Sequence, residues 1–347
     1  MRDWPQPEVT DVDHAVRQFL ATDMKDADAS RAVMLECQPF VVRGLCADWA
    51  VTAAGRSGHA SALSYLAAMD EGQTAEYFSA PSALKGRYHY GRQADGFNFS
   101  RTAMPVGDAL KHIQRNAEDG LETGYMGSLP ADTYFPGFAD ENRCAFLSPD
   151  VRPRVWVGNQ STVACHYDGY DNLACAVVGR RRFTLYPPDA IGDLYVGPID
   201  HTLSGQPVSM VAGSEDDPIL YPRFAAAVTK AIIVDLEPGD ALYLPKLWWH
   251  QVEALNPVNV LVNYWWDGFS SGPDSPYAAL LLAMIALAER PEAERAAWRA
   301  YFDHYVFRPD GHPLAHLPEA KHGVLGPLAA GNYGRIRTLV MRMLRGG

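Results

Sequence analysis

Hydrophobic and polar positions follow three different patterns along this chain. From about Arg154 to Asp267, short runs rich in β-branched and aromatic residues are broken by Gly, Pro, Asn or Asp: "RVWVGN", "LACAVVG", "RRFTLYPP", "KAIIVDLEPGD", "ALYLPKLWWHQVEAL" and "VNVLVNYWW". Many short strands punctuated in this way predict an antiparallel sandwich or barrel. The stretch Pro198–Phe224 lacks that regularity and reads as a long insertion. Upstream, "PFVVRGL" (Pro39–Leu45) has the β-branched run and glycine stop of a buried strand. "SALSYLAAM" (Ser61–Met69) and "VGDALKHIQRNA" (Val106–Ala117) place apolar residues at helical spacing, with Asp108 near a helix start. A short helix is expected around Asp13–Ala21, and the Gly-, Tyr- and Phe-rich segment around residues 85–101 reads as hairpins. After residue 273 the pattern turns helical, with a break at Pro291 and a final amphipathic segment in "GRIRTLVMRMLRGG". The expected organisation is therefore flanking helices and strands over 1–120, a β core over 121–270 with the insertion at 198–224, and a helical region over 271–347.

Composition narrows the function classes. The 347 residues are 48% hydrophobic and 20% charged, as in an ordinary globular protein. A net charge of −11 with no long Lys/Arg block argues against nucleic acid as the main partner. The start, "MRDWPQPEVTDVDH", has no apolar stretch of the kind a signal peptide needs. The longest apolar run, Ala278–Ala288, spans 11 residues and is too short to cross a bilayer, so no membrane partner is expected. That run is apolar almost all round, so it must be buried inside this chain or meet a second copy. Five cysteines, odd in number and without a CxxC, suggest reduced thiols in a cytoplasmic protein. Cys165, in an apolar strand, reads as a small core residue.

The candidate chemistry begins at "ACHYDGYDN" (Ala164–Asn172), which sets His166 two residues before Asp168. With 11 histidines and 41 acids, chance alone gives about one such pair, so the spacing by itself is neutral. If "CHYD" ends a strand, however, both side chains leave the same face and can converge on one ion. A second histidine from a distant strand is available in His250, after the Pro238-Gly239-Asp240 turn and the strand "ALYLP". Two histidines and one carboxylate, with other positions open, is the ligand set of non-haem Fe(II) oxygenases.

"HYDGYDNLACAVVGRRRFTLYPP" followed by "PGDALYLPKLWWHQVEALNPVNVLVNYWW" resembles the Jumonji C-type, cupin-like 2-oxoglutarate oxygenases. The likeness is greatest to the branch of the asparaginyl hydroxylase that inhibits hypoxia-inducible factor and its bacterial relatives. It covers Tyr125 to Trp266, includes "PFVVRGLCADW" more weakly, and extends in style to the helical tail. The resemblance implies a double-stranded β-helix (a jelly roll) with Fe(II) held by His166, Asp168 and His250. It implies 2-oxoglutarate as cosubstrate, converted to succinate and CO2. Arg181 falls where relatives usually carry a lysine for the far carboxylate of the cosubstrate. A guanidinium can grip a carboxylate bidentately but is longer than lysine. On a strand its neighbours Arg180 and Arg182 would face the opposite way. Tyr125 aligns with a tyrosine sharing that carboxylate, Asn172 and Asn263 with asparagines lining the pocket, and Trp265 with a neighbouring aromatic. Val163 departs from the family, whose members often carry a threonine there. Trp248, Trp249 and Trp266 read as wall and core.

The substrate expected from the resemblance is a protein side chain or a small molecule; N-demethylation uses the same chemistry. The 198–224 insertion and residues 85–101 are the expected substrate contacts. Related hydroxylases dimerise through C-terminal helices, which implies a homodimer here. Two other readings stay open: a catalytically silent cupin-like binding protein, and a metal cupin needing no cosubstrate. The latter commonly use more histidines, and His201 in the insertion is the only nearby spare.

Overall fold

A computed structural model describes residues 16–24, 27–90, 96–145, 147–200, 202, 205–212, 218–270 and 272–346. The chain opens with β1 (Arg17–Leu20), α1 (Ala27–Met34), β2 (Phe40–Arg43), α2 (Ala50–Arg56) and α3 (His59–Ala67). Next come β3 (Thr74–Pro81), β4 (Arg87–Tyr88), β5 (Ser100–Pro105), α4 (Val106–Asp119) and β6 (Glu122–Pro130). Two short helices, α5 (Ala131–Tyr134) and α6 (Phe138–Glu141), lead to β7 (Pro153–Gly158), β8 (Ser161–His166), β9 (Asp171–Val178) and β10 (Arg181–Tyr186). After α7 (Phe224–Val228) follow β11 (Ile232–Leu236), β12 (Ala241–Leu244), β13 (Trp249–Ala254) and β14 (Asn259–Trp266). The last helices are α8 (Pro276–Leu287), α9 (Glu292–Phe302) and α10 (Asn332–Leu344).

These strands form two sheets. The larger runs β1-β2-β12-β9-β14-β7-β6-β3-β5 and the smaller β11-β10-β13-β8-β4. The fold is mainly β, a jelly-roll core with flanking helices. Strand β9 shows how the layers arise. Leu173, Cys175 and Val177 join a cluster with Val51, Leu63, Leu66, Val106 and Ile113 from the helices covering the large sheet. Ala174 and Ala176, on the opposite face, join Phe183, Leu185, Leu242, Val252 and Leu261 between the sheets. A strand buried on both faces needs no polar alternation, which is why "LACAVV" is continuously apolar. Gly179 turns β9 into β10 at φ 72°, where a Cβ would collide with Asn259.

Two expectations change. The helix expected around Asp13–Ala21 is instead strand β1 over its described part; residues 13–15 lie outside the described residues. β1 pairs in parallel with β2, and Phe19 meets Phe40 edge-on at 5.5 Å. Pairing with an already buried strand and packing of Phe19 on the core outweigh a weak local preference for helix. The stretch 1–120 also supplies β1, β2, β3 and β5 to the large sheet, so it is woven into the core as well as flanking it.

The insertion folds back onto the strand carrying His166. Val208 bridges His166, and the Ser209 backbone N–H donates to the Cys165 carbonyl at 2.7 Å. His201 and residues 203–204 and 213–217 lie outside the described residues. All five cysteines are free thiols, and no described helix is long and apolar enough to cross a membrane.

The chain divides into compact units at residues 1–266 and 267–347. In the second, Ser275 caps α8 through the Tyr277 N–H at 3.1 Å, with Pro276 in the first turn. Asp274 accepts from Arg337 at 2.9 Å and from the Tyr333 hydroxyl, tying the α8 start to α10. No residue of α8 is buried, and Ile285 is 85% exposed.

Candidate metal centre

The small sheet assembles the centre. β8 and β13 run antiparallel with His166 directly opposite His250, and the register shifts between His250 and Val252. The two rings stand 4.3 Å apart between centroids. Asp168 follows β8 by two residues and faces the same point: its Oδ2 lies 3.7 Å from His250 Nε2. One ligand atom from each of the three falls within 4.8 Å of the others, the separation one ion bridges. They are the one such group among the described residues.

Each histidine is aimed by its backbone. His166 Nδ1 sits 2.8 Å from the Ala164 carbonyl, and His250 Nδ1 3.0 Å from that of Trp248. A carbonyl only accepts, so each Nδ1 is the donor, which leaves each Nε2 for the shared point. Burial pushes His250 down to about 4, His166 adds to the fall, and Asp168 opposes it. His250 is therefore neutral at neutral pH, the form that ligates metal.

The bend before β13 is fixed by the chain around Asp168. Leu247, at φ 69°, donates its N–H to the Asp168 carbonyl at 2.9 Å. Asp171 accepts from the Tyr243 hydroxyl at 3.2 Å and pairs with Lys246 at 3.6 Å. Trp248 and Trp249 are both buried, and the Trp248 indole donates to the Cys37 carbonyl at 3.1 Å.

Asn172 and Asn263 are joined to Asp168 by a chain of side-chain hydrogen bonds. Asn172 Nδ2 donates to Asp168 Oδ2 at 3.4 Å, and Asn263 Nδ2 to Asn172 Oδ1 at 3.2 Å. The Trp156 indole donates to Asn263 Oδ1 at 2.7 Å. An indole can only donate and a carboxylate can only accept. The chain from Trp156 to Asp168 therefore has a single consistent direction, which sets both amide orientations. Residue-level reading missed Trp156; its alternation with Val155 and Val157 in "RVWVG", which turns it to the other face, was the available signal.

Arg181 lies on the inward face of β10, 4% exposed, and no described side chain or carbonyl bonds to it; its Nε is buried without an acceptor. Burial drives the guanidinium down to about 10, with Tyr125 opposing the fall. Burial likewise raises the Tyr125 phenol, and Arg181 pulls it back. Tyr125 stacks near Trp156 (6.1 Å) and Tyr88 (6.0 Å). Gly127 makes room: a Cβ there would lie 2.8 Å from the Tyr125 hydroxyl and 2.9 Å from the Trp156 ring. Trp265 meets Trp156 edge-on at 5.9 Å, and its Nε1 is buried with no acceptor. Val163 is partly buried against the cluster between the sheets and offers no hydroxyl. A buried cation with no anion is costly. The donors present thus fit a two-ended ligand, one end an acid at Arg181.

The cupin-like domain family matches residues 26–272, most of the chain. The chain belongs to the cupin-like, Jumonji C oxygenase family. Among its relatives, human HSPB1-associated protein 1 is 32% identical over 147 residues, 41% of this chain and 30% of that protein. Lysine-specific demethylase JMJ31 of Arabidopsis thaliana is 33% identical over 140 residues, 40% and 24% respectively. Jumonji C domain-containing protein 5 of Drosophila melanogaster is 34% identical over 115 residues, 33% and 27%. The matched segment thus spans less than a third of each of these relatives.

Proposed function

We propose that this protein is an Fe(II)- and 2-oxoglutarate-dependent oxygenase, a hydroxylase acting on a protein side chain or a small molecule. The support is the pairing of two features in one barrel interior: His166, Asp168 and His250 converging on a point, and Arg181 buried with no counter-ion. When bound, Fe(II) with 2-oxoglutarate and O2 supplies an oxidant able to break a C–H bond while the cosubstrate becomes succinate and CO2. The protein's part is ligation, orientation and exclusion of water. His166 and His250 present their Nε2 atoms as the two imidazole ligands. Asp168 supplies the one charged ligand, its carboxylate held by Asn172. Arg181 and Tyr125 hold the far carboxylate of the cosubstrate, where a guanidinium takes over the task of the family's lysine. The apolar, aromatic wall of Tyr125, Trp156 and Trp265 keeps bulk water from the reacting end.

The apolar helix α8, none of whose residues is buried, supports a homodimer formed through the C-terminal helices, and the free thiols fit a reducing, cytoplasmic setting. The activity is tested by supplying Fe(II), ascorbate, 2-oxoglutarate and O2 and following succinate by NMR. Succinate that requires Fe(II) and disappears in His166→Ala supports the reading. Well-metallated wild type that makes no more succinate than His166→Ala would overturn it in favour of a silent cupin-like binding protein.

A further inference from the structure

Among the described residues of 16–266, six arginines and lysines are not exposed: Arg43, Arg154, Arg181, Arg182, Lys230 and Lys246. Four have carboxylate partners: Arg43 with Asp240 at 2.6 Å, Arg182 with Asp235 at 2.8 Å, Lys230 with Asp189 at 3.0 Å and Lys246 with Asp171 at 3.6 Å. Arg154 and Arg181 have none. The proposed cosubstrate accounts for Arg181, and Arg154 is left over.

Arg154 is held ready. On β7 it stands directly opposite Asn263 of β14, and its side chain leaves the same face of the sheet as Trp156 two residues on. Its Nε donates to Ser128 Oγ at 2.7 Å, and Ser128 occupies the left-handed region at φ 56°. Its guanidinium carbon lies 5.5 Å from the centre of the Trp265 ring. Trp265 in turn pairs in register with Asn172, the residue that holds Asp168. One nitrogen is thus satisfied by a neutral hydroxyl and one face by a ring, while the two terminal nitrogens have no acceptor among the described residues. A guanidinium fixed at Nε and stacked keeps its fork open for a bidentate oxyanion.

We propose that Arg154, with Ser128 and Trp265, is a second anion-binding position on the sheet face that carries Asn172 and Asn263, which recognises a carboxylate or phosphate on the molecule to be oxidised. The primary substrate is then acidic. This rests on the reading of Arg181 as the cosubstrate anchor, because only then is Arg154 free for a different molecule. Selectivity follows from the geometry: a neutral isostere would leave the fork unpaired beside an aromatic wall, an unfavourable exchange for its lost water.

The test uses Mn(II)-loaded full-length protein saturated with 2-oxoglutarate. The probes are blocked amino-acid amides: N-acetyl-aspartyl amide for a carboxylate, N-acetyl-phosphoseryl amide for a phosphate, and N-acetyl-asparaginyl amide as the neutral control. Paramagnetic broadening of probe protons by Mn(II) reads binding beside the metal without any turnover. At least one charged probe should be broadened and displaceable while the neutral one is not, and the tighter of the two names the anion. Arg154→Gln should weaken the charged probe about tenfold or more, well beyond its effect on 2-oxoglutarate, and Arg154→Lys should restore part of the loss. Thermal melts of both variants confirm that they fold. Equal binding of charged and neutral probes overturns the proposal. So does a loss in Arg154→Gln that falls on 2-oxoglutarate rather than on the probe, because Arg154 would then anchor the cosubstrate. A 2-oxoglutarate affinity insensitive to Arg181→Met is a separate result and sinks the cosubstrate assignment instead.

Discussion

Arg181 and Arg182 are neighbours on one strand, yet they live in opposite worlds. Arg182 leaves the outer face of β10 and forms a two-pronged pair with Asp235, at 2.8 and 2.9 Å, in contact with solvent. Arg181 leaves the inner face, is 4% exposed and meets no carboxylate among the described residues. The outer pair is self-sufficient: each charge has its partner, and water screens what remains. The inner cation loses basicity instead: burial shifts its pKa down to about 10. Folding alone gives no reason to keep such a group, since a well-packed apolar residue would serve the core better. Under the proposed function, what it offers is a preorganised grip on the acid end of the cosubstrate.

The sharpest way to break this contrast is to replace each arginine in turn. Arg181→Met should weaken 2-oxoglutarate binding to the Mn(II) protein about 100-fold or more by calorimetry. The same variant should melt no lower than wild type without ligand, because a buried unpaired charge has been removed. A variant that melts far lower while binding 2-oxoglutarate normally would make Arg181 a structural residue.

Next in size is the polar chain behind the His166, Asp168 and His250 triad. Trp156→Phe keeps the ring but deletes the donor that fixes Asn263, Asn172 and so Asp168. Metal affinity should fall about 10- to 100-fold, as for other groups that orient a ligand. The Co(II) ligand-field spectrum should shift as well, which a simple packing defect would not produce. An unchanged spectrum and affinity would leave Trp156 a wall residue.

The buried His250 gives a third effect. His250 has a folded-state value near 4, below its ordinary 6.5, so the unfolded chain binds the extra proton first. The metal-free protein should therefore keep its full stability above about pH 6.5 and lose it as pH falls toward 4. Urea melts across that range should show a shallower decline in His250→Gln; an identical slope in the variant would place the linkage elsewhere. The smallest effect is expected outside: Arg182→Ala should cost about 0.5–1 kcal/mol, lessened by salt, and leave 2-oxoglutarate binding untouched.

The same two faces explain what could be read from the residues. The strand pattern over 154–267 was legible because each run is short, apolar and ended by a turn former, and β9 to β14 appear where those runs lie. His166 and Asp168 were suggestive only through strand periodicity, and the bend that brings His250 opposite His166 needed the pairing of β13 with β8. For "GRRRF", periodicity separated Arg181 from Arg180 and Arg182, but nothing in the letters shows which face is dry. Trp156 and Arg154 were passed over because their roles depend on a neighbour across the sheet, Asn263, more than 100 residues away. Strand β1 was misread for a related reason: four residues carry too little periodicity, and the pairing with β2 decided their state.

The central claim is that the triad holds a metal and Arg181 waits for the acid end of its cosubstrate. The most direct measurement is anaerobic titration of 2-oxoglutarate into the Fe(II)-loaded protein, following the weak visible charge-transfer band of the chelate. Wild type, His166→Ala and Arg181→Ala should be run side by side. The account predicts a band in wild type that is absent in His166→Ala and needs far more 2-oxoglutarate in Arg181→Ala. No band in fully metallated wild type would contradict it.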